Sequence, residues 1–317
     1  LSTRGVCLFL LLASSVLSSL SCGRTEEREL RLVTGPIGGT WYPLGGAIAE
    51  LVKKRVPNLS ISVGPGGGIA NVKAIEEGKA DLGFGNVATT IDAIYGRDPF
   101  SKKVGNVRHV ATLYKQYFQL VVLADSRITS VADLKGKAII PGTKGTTGEL
   151  MTRHVLQVYG LTYNDMGKVH HIGYSDGIAL MKDGHADLFS PVTAIPASAI
   201  IDLASSRRIR LLSLPEDKIE ALQRINPGYV KHIIPKGTYP GVDHDIVTFG
   251  TYTQLLASAA LPEDVVFEIT KAVVEGRQDL AMVAREMEDF PPQEMGQEVG
   301  VPFHPGALRY FQGLRAR

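Results

Sequence analysis

The chain has 317 residues, 44% apolar and 21% charged, with 34 Lys and Arg against 32 Asp and Glu. That composition suits a globular protein long enough for two lobes, and the absence of a basic run interleaved with aromatics excludes a nucleic-acid footprint. A small-molecule partner is expected instead.

The first 22 residues stand apart: one Arg at position 4, a Leu/Val/Ser-rich stretch, then Ser21, Cys22 and Gly23. They read as an export leader, since the apolar stretch is shorter than the roughly 18 residues a membrane span needs. Cys22 reads as a lipidation site. Both cysteines, Cys7 and Cys22, fall in this leader, so the remainder holds no disulfide or thiolate metal site.

After a short apolar strand, Leu30 to Val33, comes the glycine-rich turn Thr34 to Pro43, then a helix with Leu44, Ile48, Leu51 and Val52 on one face. Glycines let a backbone approach a bound group closely, and the first amides of a helix are unpaired and partly positive, so this turn suits a carboxylate or phosphate. Thr40 adds a hydroxyl, and Trp41 and Tyr42 add apolar walls fit for a carbon skeleton. The plainer reading is a tight strand-to-helix connection with aromatics in the core.

The pattern repeats. A strand Leu59 to Val63 enters Gly64 to Gly68 and a helix Ile69 to Glu77. Gly78 stops that helix before Ala80-Asp81-Leu82 and the next strand. Further on come a strand Phe118 to Ala124, a short helix capped by Ser130, a strand Lys137 to Ile140, and a third glycine-rich turn, Pro141 to Gly148. That turn opens a helix stopped by Gly160. A helix around Ile178 to Lys182, a glycine at 184 and Ala186-Asp187-Leu188 repeat the earlier stop-and-strand device. Alternation of this kind predicts parallel sheets with crossovers. A return strand near Asp245 to Tyr252, an acid-tipped helix from Pro262 and a last helix from Pro305 close the chain.

Three motifs suggest other chemistry. Gly173-Tyr174-Ser175-Asp176-Gly177 fits G-x-S-x-G, so an exported serine hydrolase using Ser175, with His244 or His304, is one alternative; helix capping by Ser175 is the plain account. Gly83 to Ala88 nominally fits a dinucleotide fingerprint, but Gly96-Arg97-Asp98-Pro99 stands where the ribose-binding acid belongs. His170-His171, read as adjacent strand residues, would face opposite ways, and Asp243-His244-Asp245 reads as a solvated loop, so no metal and no cofactor are expected.

Taken in order, GGTWYPLGGAIAELV, GPGGGIANVKAIEEGKADLGFGN, SVADLKGK, the turn before GEL, AIPASAI, KGTYPGVDHD, LPEDVVFEITKAV and PFHPGALRYF resemble the TAXI family of solute-binding proteins, which serve tripartite, ATP-independent TRAP transporters. The resemblance covers nearly the whole chain after the leader. It implies an α/β type II periplasmic-binding-protein fold with the ligand in the cleft between two lobes; with crossings expected at Val110 to Gln119 and Thr238 to Thr248 and no long linker, the lobes are 30–116 plus 245–317, discontinuous, and 117–244, joined by a hinge. It also implies a small organic or amino acid as ligand, glutamate- or glutamine-like, delivered to the membrane subunits of a permease from the periplasm or the outer face of the cytoplasmic membrane. A binding protein of an ABC-type importer or a sensor is the other alternative.

The residues expected at the ligand are Gly39, Thr40, Trp41 and Tyr42 in the first turn, Gly67 and Gly68 in the second, Asn86, then Lys144, Thr146, Thr147 and Gly148 in the third, and Pro191, Val192 and Thr193. Lys144 is the expected cation for a second carboxylate, with a solvated loop lysine as the alternative. Trp41, Asn86 and Thr146-Thr147-Gly148 depart from the family's usual residues, so the resemblance does not carry the ligand's identity.

Overall fold

The computed structural model describes residues 27–35, 40–288 and 290–316. The leader with Cys7 and Cys22, and Gly38 and Gly39 of the first turn, lie outside them.

Among the described residues twelve strands form two sheets: β1 (Arg28–Val33), β2 (Leu59–Gly64), β3 (Leu82–Asn86), β4 (Val107–Phe118), β5 (Val121–Leu123), β6 (Ala138–Ile140), β7 (Lys168–Val169), β8 (Leu188–Phe189), β9 (Val192–Thr193), β10 (Ile209–Leu211), β11 (Val230–Ile234) and β12 (Ile246–Ser258). The first sheet runs β2-β1-β3-β12-β4-β9 with β11 also on β12; the second runs β10-β5-β8-β6-β7. Helices α1 (Trp41–Arg55), α2 (Gly68–Glu76), α3 (Val87–Tyr95), α4 (Thr147–Val158), α5 (Tyr174–Lys182), α6 (Ser198–Ser206), α7 (Glu216–Ile225), α8 (Glu263–Glu275), α9 (Arg277–Ala281), α10 (Pro292–Met295) and α11 (Pro305–Arg315) complete the described chain. None is long and apolar enough to cross a membrane.

Local chemistry accounts for much of this. On α1, Leu44, Ile48, Leu51 and Val52 are buried at helical spacing, and Lys53, Lys54 and Arg55 sit at its negative end. Gly78, Gly160 and Gly184 adopt φ of 70°, 71° and 71°, the left-handed conformation that stops a helix at low cost only for glycine. In the second sheet, alternation sorts side chains between two cores. Val122, Ile139 and Leu188 pack with Met151, Val155 and Leu222, whereas Val121, Leu123, Ile140 and Phe189 pack with Ile178, Met181 and Ile200. The sheet is therefore covered on both faces, by α4 and α7 on one and α5 and α6 on the other. Each fully buried Leu or Ile contributes about 1.5–3 kcal/mol.

The sheets are mixed rather than parallel. β2-β1-β3 and β7-β6-β8 are parallel, as alternation predicts, but β12 runs antiparallel to β3, β4 and β11, and β5 antiparallel to β8 and β10. The chain goes out to the second sheet along β4, adds β9 and β11 to the first sheet on the way, and comes back beside β4 along β12, where Gly250 pairs with Tyr117 at their shared end. One strand going out and one coming back at the same end must be antiparallel. The return strand is also longer than its sequence signal, because pairing on both sides extends it to Ser258.

The halves built on the two sheets also touch away from this connection. Arg153 Nη1 of α4 reaches Asp98 Oδ2 at 3.0 Å, and Asn226 Nδ2 donates to Asp92 Oδ2 at 2.8 Å and to the Ala88 carbonyl at 3.0 Å.

Candidate functional site

Five helices start at one cavity of about 650 Å³ between the halves. Its walls take Thr40 and Trp41 from the start of α1, Gly67 and Gly68 from α2, Thr146, Thr147 and Gly148 from α4, Gly173, Tyr174 and Ser175 from α5, and Ala197, Ser198 and Ala199 from α6. Four of these starts have no side-chain cap: the cap positions are Thr40, Gly67, Gly173 and Ala197, and none accepts a bond from its helix through a side chain. Only Thr146 does so, from the Glu149 amide at 3.4 Å. Uncapped starts leave first-turn amides to be satisfied by a ligand or water, and each carries roughly half a positive charge. Anion affinity thus comes from backbone, supplied from both sides of the cavity.

Fixed side chains hold these starts. Asn71, 1% exposed, donates from Nδ2 to the carbonyls of Thr34 (2.6 Å) and Phe84 (2.8 Å) and accepts from the Gly67 amide (3.0 Å). It ties the ends of β1 and β3 to the start of α2. Gly66 is required beside it, since a β-carbon there would lie 2.1 Å from Asn71 Oδ1. Trp41 packs on Phe84 at 5.7 Å and donates from Nε1 to Thr253 Oγ1 at 3.2 Å, and Gln116 Nε2 donates to the same oxygen at 2.6 Å. Burial raises the pKa of the Tyr114 phenol beside them, keeping it a neutral donor. Across the cavity, the Tyr174 hydroxyl accepts from the Val192 amide at 3.2 Å and its ring packs edge-on against Phe189.

The halves meet at Thr147. Its Oγ1 accepts from Asn86 Nδ2 at 2.8 Å and lies 2.8 Å from Thr89 Oγ1. Asn86 Oδ1, buried, has no hydrogen-bond partner among the described residues.

Of the residues expected at a ligand, Thr40, Trp41, Gly67, Gly68, Asn86, Thr146, Thr147, Gly148, Pro191, Val192 and Thr193 line this cavity. Tyr42, half-buried, is not among its walls, and Lys144 is exposed and also outside the lining. Among the described residues no Lys, Arg or His lines the cavity, and the charged ones that do are Asp176 and Glu286. The four turn residues left undescribed, 36–39, are Pro, Ile, Gly and Gly, so they add no cation.

Sequence reasoning missed Tyr114 and Gln116, which share one face of β4 by alternation, and Ile172, Tyr174 and Ser198 beside the helix starts. The signal available for α5 and α6 was a helix start lacking a capping residue. It also missed Glu286, for which no local signal exists. Ser175 does not cap α5, whose cap position is Gly173. His170 and His171 follow β7 rather than lying in it. His244 is exposed and bonds Asp243 at 2.7 Å, and His304 caps α11 through the Gly306 amide, so both candidate imidazoles for Ser175 are engaged outside the cavity. No group of three or more metal-ligating side chains occurs among the described residues.

A family model described as the NMT1-like family matches residues 32–313. Among solved structures, PhnD1 from Prochlorococcus marinus in complex with methylphosphonate is similar at 13% identity and a TM-score of 0.55, over 83% of this chain and 92% of that one. The glutathione-import and cystine-importer structure of Streptococcus mutans is similar at 14% identity and 0.52, over 83% and 95%. A TctC solute-binding protein from Polaromonas is similar at 18% identity and 0.50, over 82% and 88%. These likenesses show an α/β two-lobe periplasmic-binding-protein fold.

Proposed function

The chain belongs to the NMT1-like family, and from that premise we propose that it is a non-enzymatic solute receptor, exported to the periplasm or the outer face of the cytoplasmic membrane and anchored there by lipid at Cys22. It binds a small organic acid or amino acid in the cavity between its lobes and delivers it to a membrane transporter. The observation that carries this reading is the set of uncapped helix starts around the 650 Å³ space, which offers neutral backbone donors from both halves. Such donors favour the ionised form of a carboxylate and do not react with it. The lobes are 30–116 plus 245–317 and 117–244, and β4 and β12 supply the hinge on which closure would be recognised by the transporter.

The TAXI resemblance supports a TRAP-type permease as partner, as does the likeness to a TctC solute-binding protein. Likeness to an ABC importer's binding component supports the second reading equally. Transport into vesicles carrying the candidate permease separates them: uptake without ATP and dependent on an ion gradient favours the first, ATP-dependent uptake the second.

A thermal-shift screen of amino acids and carboxylic acids tests the receptor reading, because a ligand that binds only the folded chain raises its apparent stability. A hit is expected, with a smaller radius of gyration in scattering once it binds. Turnover of an ester by the parent protein that disappears in Ser175→Ala would replace the receptor with a hydrolase.

A further inference from the structure

We propose that the cavity selects solutes bearing a cationic nitrogen, with Glu286 as the counter-charge; the inference rests on the receptor reading and narrows it to a class of ligand, a small zwitterion. The two charged residues in the walls are both acidic, and they differ in what explains them. Asp176 is exposed in the first turn of α5, where the helix's own positive end accounts for a carboxylate. Glu286 has no such account. It is partly buried on the short 3-10 turn Arg285–Met287, and within the described residues it makes no hydrogen bond and no ion pair.

A partly buried carboxylate in the cavity wall with no partner of its own attracts a cation that enters the cavity. The surroundings suit a cation. The Tyr114 ring, whose phenol burial keeps protonated, lines the cavity together with Glu286. Trp41 lines the same cavity, and aromatic faces attract an ammonium. Asn86 Oδ1, buried and unpaired at the wall, is a further acceptor without a donor. Backbone amides from five helix starts meanwhile provide for a carboxylate. An amine-free acid would satisfy the amides and leave Glu286 unpaired.

Matched pairs differing in the cationic nitrogen test this: L-glutamate with glutarate, L-leucine with isocaproate, and glycine betaine with tert-butylacetate, titrated by calorimetry into the full-length protein freed of carried-over solute. The cationic member of a pair should bind ~10-fold or more tightly than its partner, and Glu286→Gln should weaken that member by ~10- to 100-fold while sparing the amine-free one. Glu286→Asp, which keeps the charge, should keep the preference, and the melting temperature of each unliganded variant shows that it is folded. Equal binding within the pairs, or equal weakening of both members by Glu286→Gln, overturns the inference. Binding confined to amine-free acids overturns it and leaves the receptor standing, whereas no binding by any of the six removes both.

Discussion

Replacing Thr147 with Val tests how much one hydroxyl contributes to the contact between the halves. Thr147 is 4% exposed, and Val has nearly its shape, so packing is conserved while the hydroxyl is lost. Two partners are stranded: Asn86 Nδ2 and Thr89 Oγ1, each 2.8 Å from Thr147 Oγ1. A buried polar group left unpaired costs about 1–3 kcal/mol, so the loss for two should be about 2–6 kcal/mol, toward the lower end if water reaches the Asn86 amide from the cavity. Urea unfolding should show the midpoint fall with an unchanged slope. In a double-mutant cycle with Asn86→Ala, the two losses should overlap by about 0.5 kcal/mol or more, because they remove the same bond. A Thr147→Val protein within about 0.5 kcal/mol of its parent, or strict additivity in the cycle, would refute the argument.

Acid should destabilise the fold through its buried histidines. His109, His154 and His232 are each pushed down to about 4, chiefly by burial, so they stay neutral in the fold while the unfolded chain protonates near 6.5. The stability they supply is complete above that value and is lost as pH falls toward 4, about 3 kcal/mol for each. Asp92, raised to about 6 mainly by burial and only partly offset by Arg97, acts in the opposite sense. Its contribution is complete below its unfolded value of 3.8 and lost as pH rises through 6, so acidification returns about 2 kcal/mol. The net expectation is a clear drop in urea midpoint between pH ~7 and ~4.5, and a flat or rising midpoint would contradict it. Gly66→Ala should cost about 2–4 kcal/mol, since the new methyl must displace Asn71 and with it three buried hydrogen bonds; a thermal melt unchanged from the parent would show that the asparagine does not organise the site.

What the sequence determined by itself is local. The order of strand, glycine-rich turn and helix, the glycines that stop α2, α4 and α5, and the buried faces of α1 and the strands all follow from the periodicity of apolar residues and the conformational freedom of glycine over a few neighbours. The turn at Thr40 and Trp41, the one at Gly67 and Gly68, and the one at Thr146 to Gly148 were legible as places where a ligand could meet helix amides, and the structure brings all three to one cavity. Lys144 was legible as a cation near such a turn, yet a four-carbon side chain on an exposed loop keeps its charge in water. Which strands pair, and which distant groups share a wall, was decided by tertiary structure. β12 lies between β3 and β4 because that placement buries both of its faces and satisfies both of its edges, a condition no local window expresses. The same is true of Asn71, whose three partners lie on Thr34, Gly67 and Phe84. Glu286 comes from an irregular C-terminal turn with no pattern of its own, and it shares a cavity wall with Tyr114 only because the returning chain packs the last third of the protein against the first sheet.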